Sequence, residues 1–159
     1  MAEVVLLTRR QATRPPQLAQ HWRLSLRADE RPQLRGRRHC QDGQAVLLQL
    51  PRQAPLQPGE WLLPPPEADR GVAVEVLAAR EALLEVRSDH QLALLQAAYH
   101  LGNRHVAMEL HGDRLLLLHD SVLADLLLQR GLRVERLEGP FTPEPGAYGA
   151  PGHGHHHDH

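Results

Sequence analysis

From Arg80 onward the apolar residues change period in a fixed order, and that order leaves few folds open to the chain. Residues 82–88, ALLEVRS, read as a strand. Ser88 lies three residues before Gln91, the spacing of a capping box, and opens a helix with Leu92, Leu95 and Tyr99 on one apolar face and a stop near Gly102. VAMELHG and RLLLLH then predict a tight hairpin through Gly112-Asp113. SVLADLLLQRG is a second helix with Val122, Leu123, Leu126 and Leu127 inward and Gly131 as its stop. LRVERLEGPF closes as a strand. Strand, helix, strand, strand, helix, strand is the ferredoxin-like βαββαβ unit.

Residues 3–79 carry a different texture. Short Val/Leu runs (EVVLL, HWRLSL, AVLLQL, EWLLP, GVAVEVLAA) alternate with Pro, Gly, Asp and Gln clusters, as in a small all-β unit. Asp42-Gly43 predicts a two-residue hairpin turn with positive φ, and Pro64-Pro65-Pro66 a solvent-facing loop. The expected class is α+β: an all-β domain over 1–79, the ferredoxin-like domain over 80–143, and a flexible histidine-rich tail over 144–159. With one Phe, two Tyr and two Trp in 159 residues, the cores must be aliphatic.

All 18 basic residues are Arg, which removes lysine Schiff-base and P-loop chemistry. A net charge of −1 supplies no overall basic field for nucleic acid or membrane. Cys40, the single cysteine, cannot form an internal disulfide and is expected as a small apolar residue on a strand. No signal peptide and no run of transmembrane length is legible, so a soluble, cytoplasmic protein is expected.

The chain ends HGHHHDH, five histidines and an acid after a Gly- and Pro-rich lead-in. Neutral imidazole is the commonest protein ligand for Ni, Cu and Zn, so His153, His155, His156, His157 and His159 are candidate ligands on a flexible arm. An appended affinity tag is the plain alternative, but Gly154 and Asp158 interrupt the run. His100 and His105 lie five apart across a glycine, a spacing that does not build a one-chain HExxH-type site. If His105 is a ligand, its partners come from elsewhere, and a second copy of the chain across a two-fold axis is an economical source. The alternative for each histidine is a capping or core role.

Tyr99 to Met108, YHLGNRHVAM, resembles the signature of the UreE family, urease accessory proteins that act as nickel metallochaperones. HDSVLADLL and GPFTPEPGAYGAPGHGHHHDH are similar to that family's next helix start and C-terminal tail. The resemblance covers the whole chain in architecture, with its specific motifs in 99–159. It implies that His105 is a metal ligand at a homodimer interface, with His100 a neighbouring histidine of the same signature. His119 matches the first histidine of an HDH element whose second histidine is Ser121 here, so Asp120 would have to help. The resemblance further implies Ni(II) as cargo, with Zn(II) or Cu(II) able to bind the same imidazoles. Its implied partners are urease apoprotein and a GTPase accessory protein, with hand-over rather than catalysis as the activity.

Arg31, Arg35, Arg37 and Arg38 are either the solvated face of an edge strand or a docking patch for an acidic partner; the resemblance places them in the domain that meets the urease assembly machinery. Three other functions are weighed. A metalloenzyme lacks a Cys pair, HExxH and a spaced general base. A ferredoxin-like RNA-binding domain lacks aromatics at strand centres. A general Ni/Zn buffer using the tail alone shares the chaperone's ligands and stays open.

Overall fold

A computed structural model describes residues 3–146, and they divide into two compact units between Ala78 and Ala79. The first is built of strands β1 (Val5–Leu7), β2 (Arg9–Gln11), β3 (Gln20–Leu26), β4 (Arg35–His39), β5 (Ala45–Gln49), β6 (Trp61–Leu63) and β7 (Val72–Ala78). They form a three-stranded sheet, β1-β5-β4, and a four-stranded sheet, β2-β6-β7-β3. Alternation along the strands sends Leu24 and Leu26 of β3, Val46 and Leu48 of β5, and Val74 and Val76 of β7 into one aliphatic cluster with Leu7, Leu62 and Cys40.

Local details depart from the sequence reading. Cys40 N–H donates to Gln44 O at 2.8 Å and Gly43 N–H to Cys40 O at 2.9 Å, so the hairpin loop has three residues and only its glycine takes positive φ, 93°. Pro64 is buried, and only Pro66 of the three prolines is exposed. The polar strand β2 carries no apolar pattern and exists because it pairs with β6, Arg9 opposite Leu63. The arginine run splits: Arg31 is buried, whereas Arg35 and Arg37 are exposed on edge strand β4.

The second unit runs β8 (Arg80–Arg87), α1 (Gln91–Asn103), β9 (Met108–Leu110), β10 (Leu115–Leu118), α2 (Ser121–Gln129), β11 (Arg133–Pro140). Its antiparallel sheet has the order β11-β8-β10-β9, the ferredoxin-like arrangement. Leu84 and Val86 of β8 and Leu115 and Leu117 of β10 pack against Leu94, Ala97 and Leu101 of α1 and Leu127 of α2, so both helices cover one face of the sheet. The β9–β10 hairpin turns through Gly112-Asp113, closed by His111 N–H on Arg114 O at 3.0 Å.

Helix α1 is rotated relative to the sequence reading. Its buried face is Leu94, Ala97 and Leu101, while Leu92, Leu95 and Tyr99 point outward. On α2, Leu123, Leu126 and Leu127 face the core but Val122 is exposed. Ser88 does not form a capping box either. Its Oγ accepts from His90 N–H at 3.1 Å, and the helix starts at Gln91 with His90 as N-cap. No helix among the described residues is long and apolar enough to cross a membrane.

Candidate metal centre

Both helices of the second unit end in the same backbone device. At α2, Gly131 N–H donates to Leu128 O at 2.9 Å and Leu132 N–H to Leu127 O at 3.2 Å, which closes the helix through one left-handed residue, Gly131 at φ 82°. At α1, His105 N–H donates to Gly102 O at 3.0 Å and Val106 N–H to Leu101 O at 3.0 Å. The left-handed residue there is His105 at φ 58°, and among the described residues no other non-glycine has positive φ. Leu101 and Val106 both join the core, the apolar contact that accompanies such a cap.

Glycine occupies this position without steric cost, whereas a residue with a Cβ pays about 1–2 kcal/mol, somewhat less for histidine than for a branched side chain. Position 105 therefore holds an imidazole where the backbone favours glycine, a local strain of the kind found at working sites. The residue is exposed, and it sits at the carbonyl end of α1, where the helix dipole stabilises a neighbouring cation.

His100, in the last turn of α1, is half-buried, its ring edge-on to Tyr99 with centroids 5.5 Å apart. His119 follows β10, exposed, its N–H donating to Ala82 O at 2.9 Å. Because Met108 pairs with Leu117, the chain enters β9 from His105 at the same end of the sheet where it leaves β10 at His119. The three histidines thus lie off one end of this unit. Asp120 caps α2, its Oδ1 accepting from Val122 N–H at 2.9 Å and Leu123 N–H at 3.1 Å, so the carboxylate beside His119 is engaged in the helix start.

Among the described residues no group of three His, Cys, Asp or Glu side chains is close enough to hold a metal ion. A site at His105 therefore needs further ligands from the tail or from a second copy. The tail histidines, His153, His155, His156, His157 and His159, lie outside the described residues. Cys40 is no ligand candidate: burial, and secondarily Asp42, push its thiol up to about 11, so it stays protonated within the core.

The outward face of α1 is apolar as well. Leu92, Leu95 and Tyr99 are 66%, 60% and 68% exposed and, at spacings of three and four, form one apolar stripe leading toward His100. The pattern was visible as periodicity, but periodicity does not say which of two apolar faces its own chain covers.

Comparison with known proteins gives these features a family. The model for the UreE urease accessory protein N-terminal domain matches residues 5–79, and that for its C-terminal domain matches residues 81–159. The chain is 59% identical over 131 residues to the urease accessory protein UreE of Synechococcus sp. (strain WH7805), covering 82% of this chain and 73% of that protein. It is 56% identical over 131 residues to the UreE of Parasynechococcus marenigrum (strain WH8102), covering 82% and 85%. With the UreE of Azotobacter vinelandii it shares 45% identity over 156 residues, 98% of this chain and 89% of that one. With both halves matched in order and the alignments running through the His105 cap, the chain belongs to the UreE family of urease accessory proteins.

Proposed function

We propose that this protein binds Ni(II) as cargo and hands it to urease apoprotein during assembly of the urease metal centre, acting with a GTPase accessory protein and carrying out no catalysis itself. The observation that carries the reading is the imidazole of His105, held exposed in a left-handed cap that α2 builds with glycine. Imidazole suits a courier: it binds Ni(II) firmly yet exchanges, whereas several thiolates would hold the ion more tightly and favour softer metals. The ligand must be neutral to bind, so acid releases the ion.

In this reading the functional form is a homodimer. The exposed stripe Leu92, Leu95 and Tyr99 is the face a second copy would cover, and its course along α1 leads to His105, so one two-fold contact would bury the stripe and bring two imidazoles onto one ion. The tail histidines then complete the coordination, and Zn(II) or Cu(II) would compete for the same donors. The exposed Arg35 and Arg37 of β4 offer the first unit a cationic edge for docking on the assembly machinery in the cytoplasm. His100 and His119 take secondary parts at most, His119 because Ser121 replaces a second imidazole and Asp120 is engaged as a cap.

Titrating Ni(II) into the full chain and into His105→Ala tests the assignment. The expected result is a loss of the tightest class of sites, at least tenfold in affinity, with a parallel loss of urease activation in a reconstituted assembly. Unchanged tight binding in the variant would move the cargo site away from residue 105.

A further inference from the structure

Strand β4 ends its sheet, with β5 on one side and no strand on the other. The pairing with β5 is antiparallel, and the bonds Leu50 N–H on Leu34 O at 3.1 Å and Cys40 N–H on Gln44 O at 2.8 Å mark the even-numbered residues as those bonded to β5. The backbone groups of Arg35, Arg37 and His39 therefore face the open edge. Their side chains share the outer face of the sheet, because Gly36 and Arg38 stand opposite Leu48 and Val46, which point into the core. All three are exposed, and among the described residues neither Arg35 nor Arg37 makes an ion pair; Asp29 and Glu30, the nearest acids before them, are taken by Arg27. The cationic surplus extends over the unit, with eleven arginines against eight acids in residues 3–78.

One side chain closes this edge. Arg38 folds back over Gly36, its Nη1 donating to Arg37 O at 2.8 Å and its Nη2 to Gln33 Oε1 at 3.1 Å. The fold-back needs glycine at 36, where φ is 123° and a Cβ would stand 3.0 Å from Arg38 Nη1. It also leaves Arg38 Nε buried with no hydrogen-bond partner. A buried guanidinium N–H without an acceptor is unfavourable, so the closed arrangement is easily lifted.

We propose that the free edge of β4 takes up an extended acidic segment of a partner protein as an added strand, and that Arg38 is the latch displaced when it does. The incoming backbone supplies acceptors to the N–H groups of Arg35, Arg37 and His39, and a donor to Arg37 O in place of Arg38 Nη1. Carboxylates at every second position then lie beside Arg35 and Arg37 on the outer face. A second copy does not fit, because antiparallel pairing of two β4 edges about Arg37 sets arginine against arginine and Arg35 against His39. Nor does a nucleic acid: its phosphates meet the cations but leave the strand carbonyls unmatched, and β4 has no aromatic side chain for bases to stack on. Building on the docking role proposed above for Arg35 and Arg37, the added strand gives that docking its chemistry and its geometry.

Fluorescence anisotropy on the full-length chain tests this, with the labelled peptide Gly-Glu-Val-Glu-Val-Glu-Gly as probe. A peptide of the same composition with contiguous glutamates, and one N-methylated at its glutamates, are expected to bind about tenfold more weakly or worse, since the first loses the alternation and the second the strand hydrogen bonds. Arg35→Gln with Arg37→Gln should weaken binding of the alternating peptide by about tenfold or more. Arg38→Ala should instead tighten it about threefold or more, although it removes a cation. Gln33→Ala, which loosens the latch with every charge in place, should tighten it too and covers the case in which Arg38→Ala does not fold. No saturable binding, equal binding of the three peptides, or tighter binding of an oligothymidylate of the same charge overturns the added strand; latch variants that do not bind more tightly overturn the role of Arg38. Ni(II) titration of Arg35→Gln with Arg37→Gln keeps the two readings apart: nickel affinity is expected unchanged, so a failed edge leaves the cargo site standing and a failed cargo site leaves the edge.

Discussion

One left-handed cap ends on Gly131 and its counterpart on His105, so the backbone geometry at position 105 is one that glycine also satisfies. Replacing His105 with glycine relieves a Cβ from positive φ while keeping both cap hydrogen bonds. His105→Gly is expected to leave stability unchanged or raise it by up to about 1 kcal/mol in chemical denaturation, while Ni(II) affinity drops as in the alanine variant. A loss of more than about 1 kcal/mol would mark the imidazole as a structural cap. The motif GNRH shows in sequence that a helix ends, and Gly102 is the natural place to expect the break. In the structure Gly102 stays helical and the reversal falls three residues later, because Leu101 and Val106 must both reach the core. That requirement is tertiary, so the left-handed histidine was not legible beforehand.

At the level of elements, the order of strands and helices was readable because each change of period is long enough to register. The rotation of α1 was not. QLALLQAAYHLGN is apolar on two sides, and small Ala93, Ala97 and Ala98 let one side approach the sheet while the bulkier Leu92, Leu95 and Tyr99 stay outside. Leu95→Glu is expected to give a folded chain that sediments as a monomer; a dimer of unchanged mass would show that this stripe is not the contact. The sheet's other face carries charge instead. Glu85 lies opposite Glu135 across the β8–β11 ladder, a like-charge pair offset by Arg87 Nε at 2.8 Å and Arg114 Nη1 at 2.6 Å on the Glu85 carboxylate. Those arginines, Arg87 first, hold its carboxyl below the usual range. A lowered carboxylate stabilises the fold above its unfolded value, about 4.3, and loses that contribution as pH falls through the folded value. Glu85→Gln should therefore cost about 1–2 kcal/mol at pH 7, with the gap to wild type closing below roughly pH 4 in denaturation series.

For the whole molecule, the proposed function divides between His105 in its left-handed cap and the histidine-rich segment 153–159. The composition of that end makes metal capture an expectation from sequence alone, whereas the return of residues 142 and 144 to β9 depends on two hydrogen bonds between residues over 30 apart and left no local pattern. The family's name describes an assembly role; whether the core or the tail carries the delivered ion separates a courier from a buffer. The most direct measurement is a Ni(II) titration, with mass determined in solution, of a chain ending at Gly152. The account predicts a dimer that keeps one high-affinity ion per two chains; a monomer, or a dimer that has lost essentially all tight binding, would contradict it.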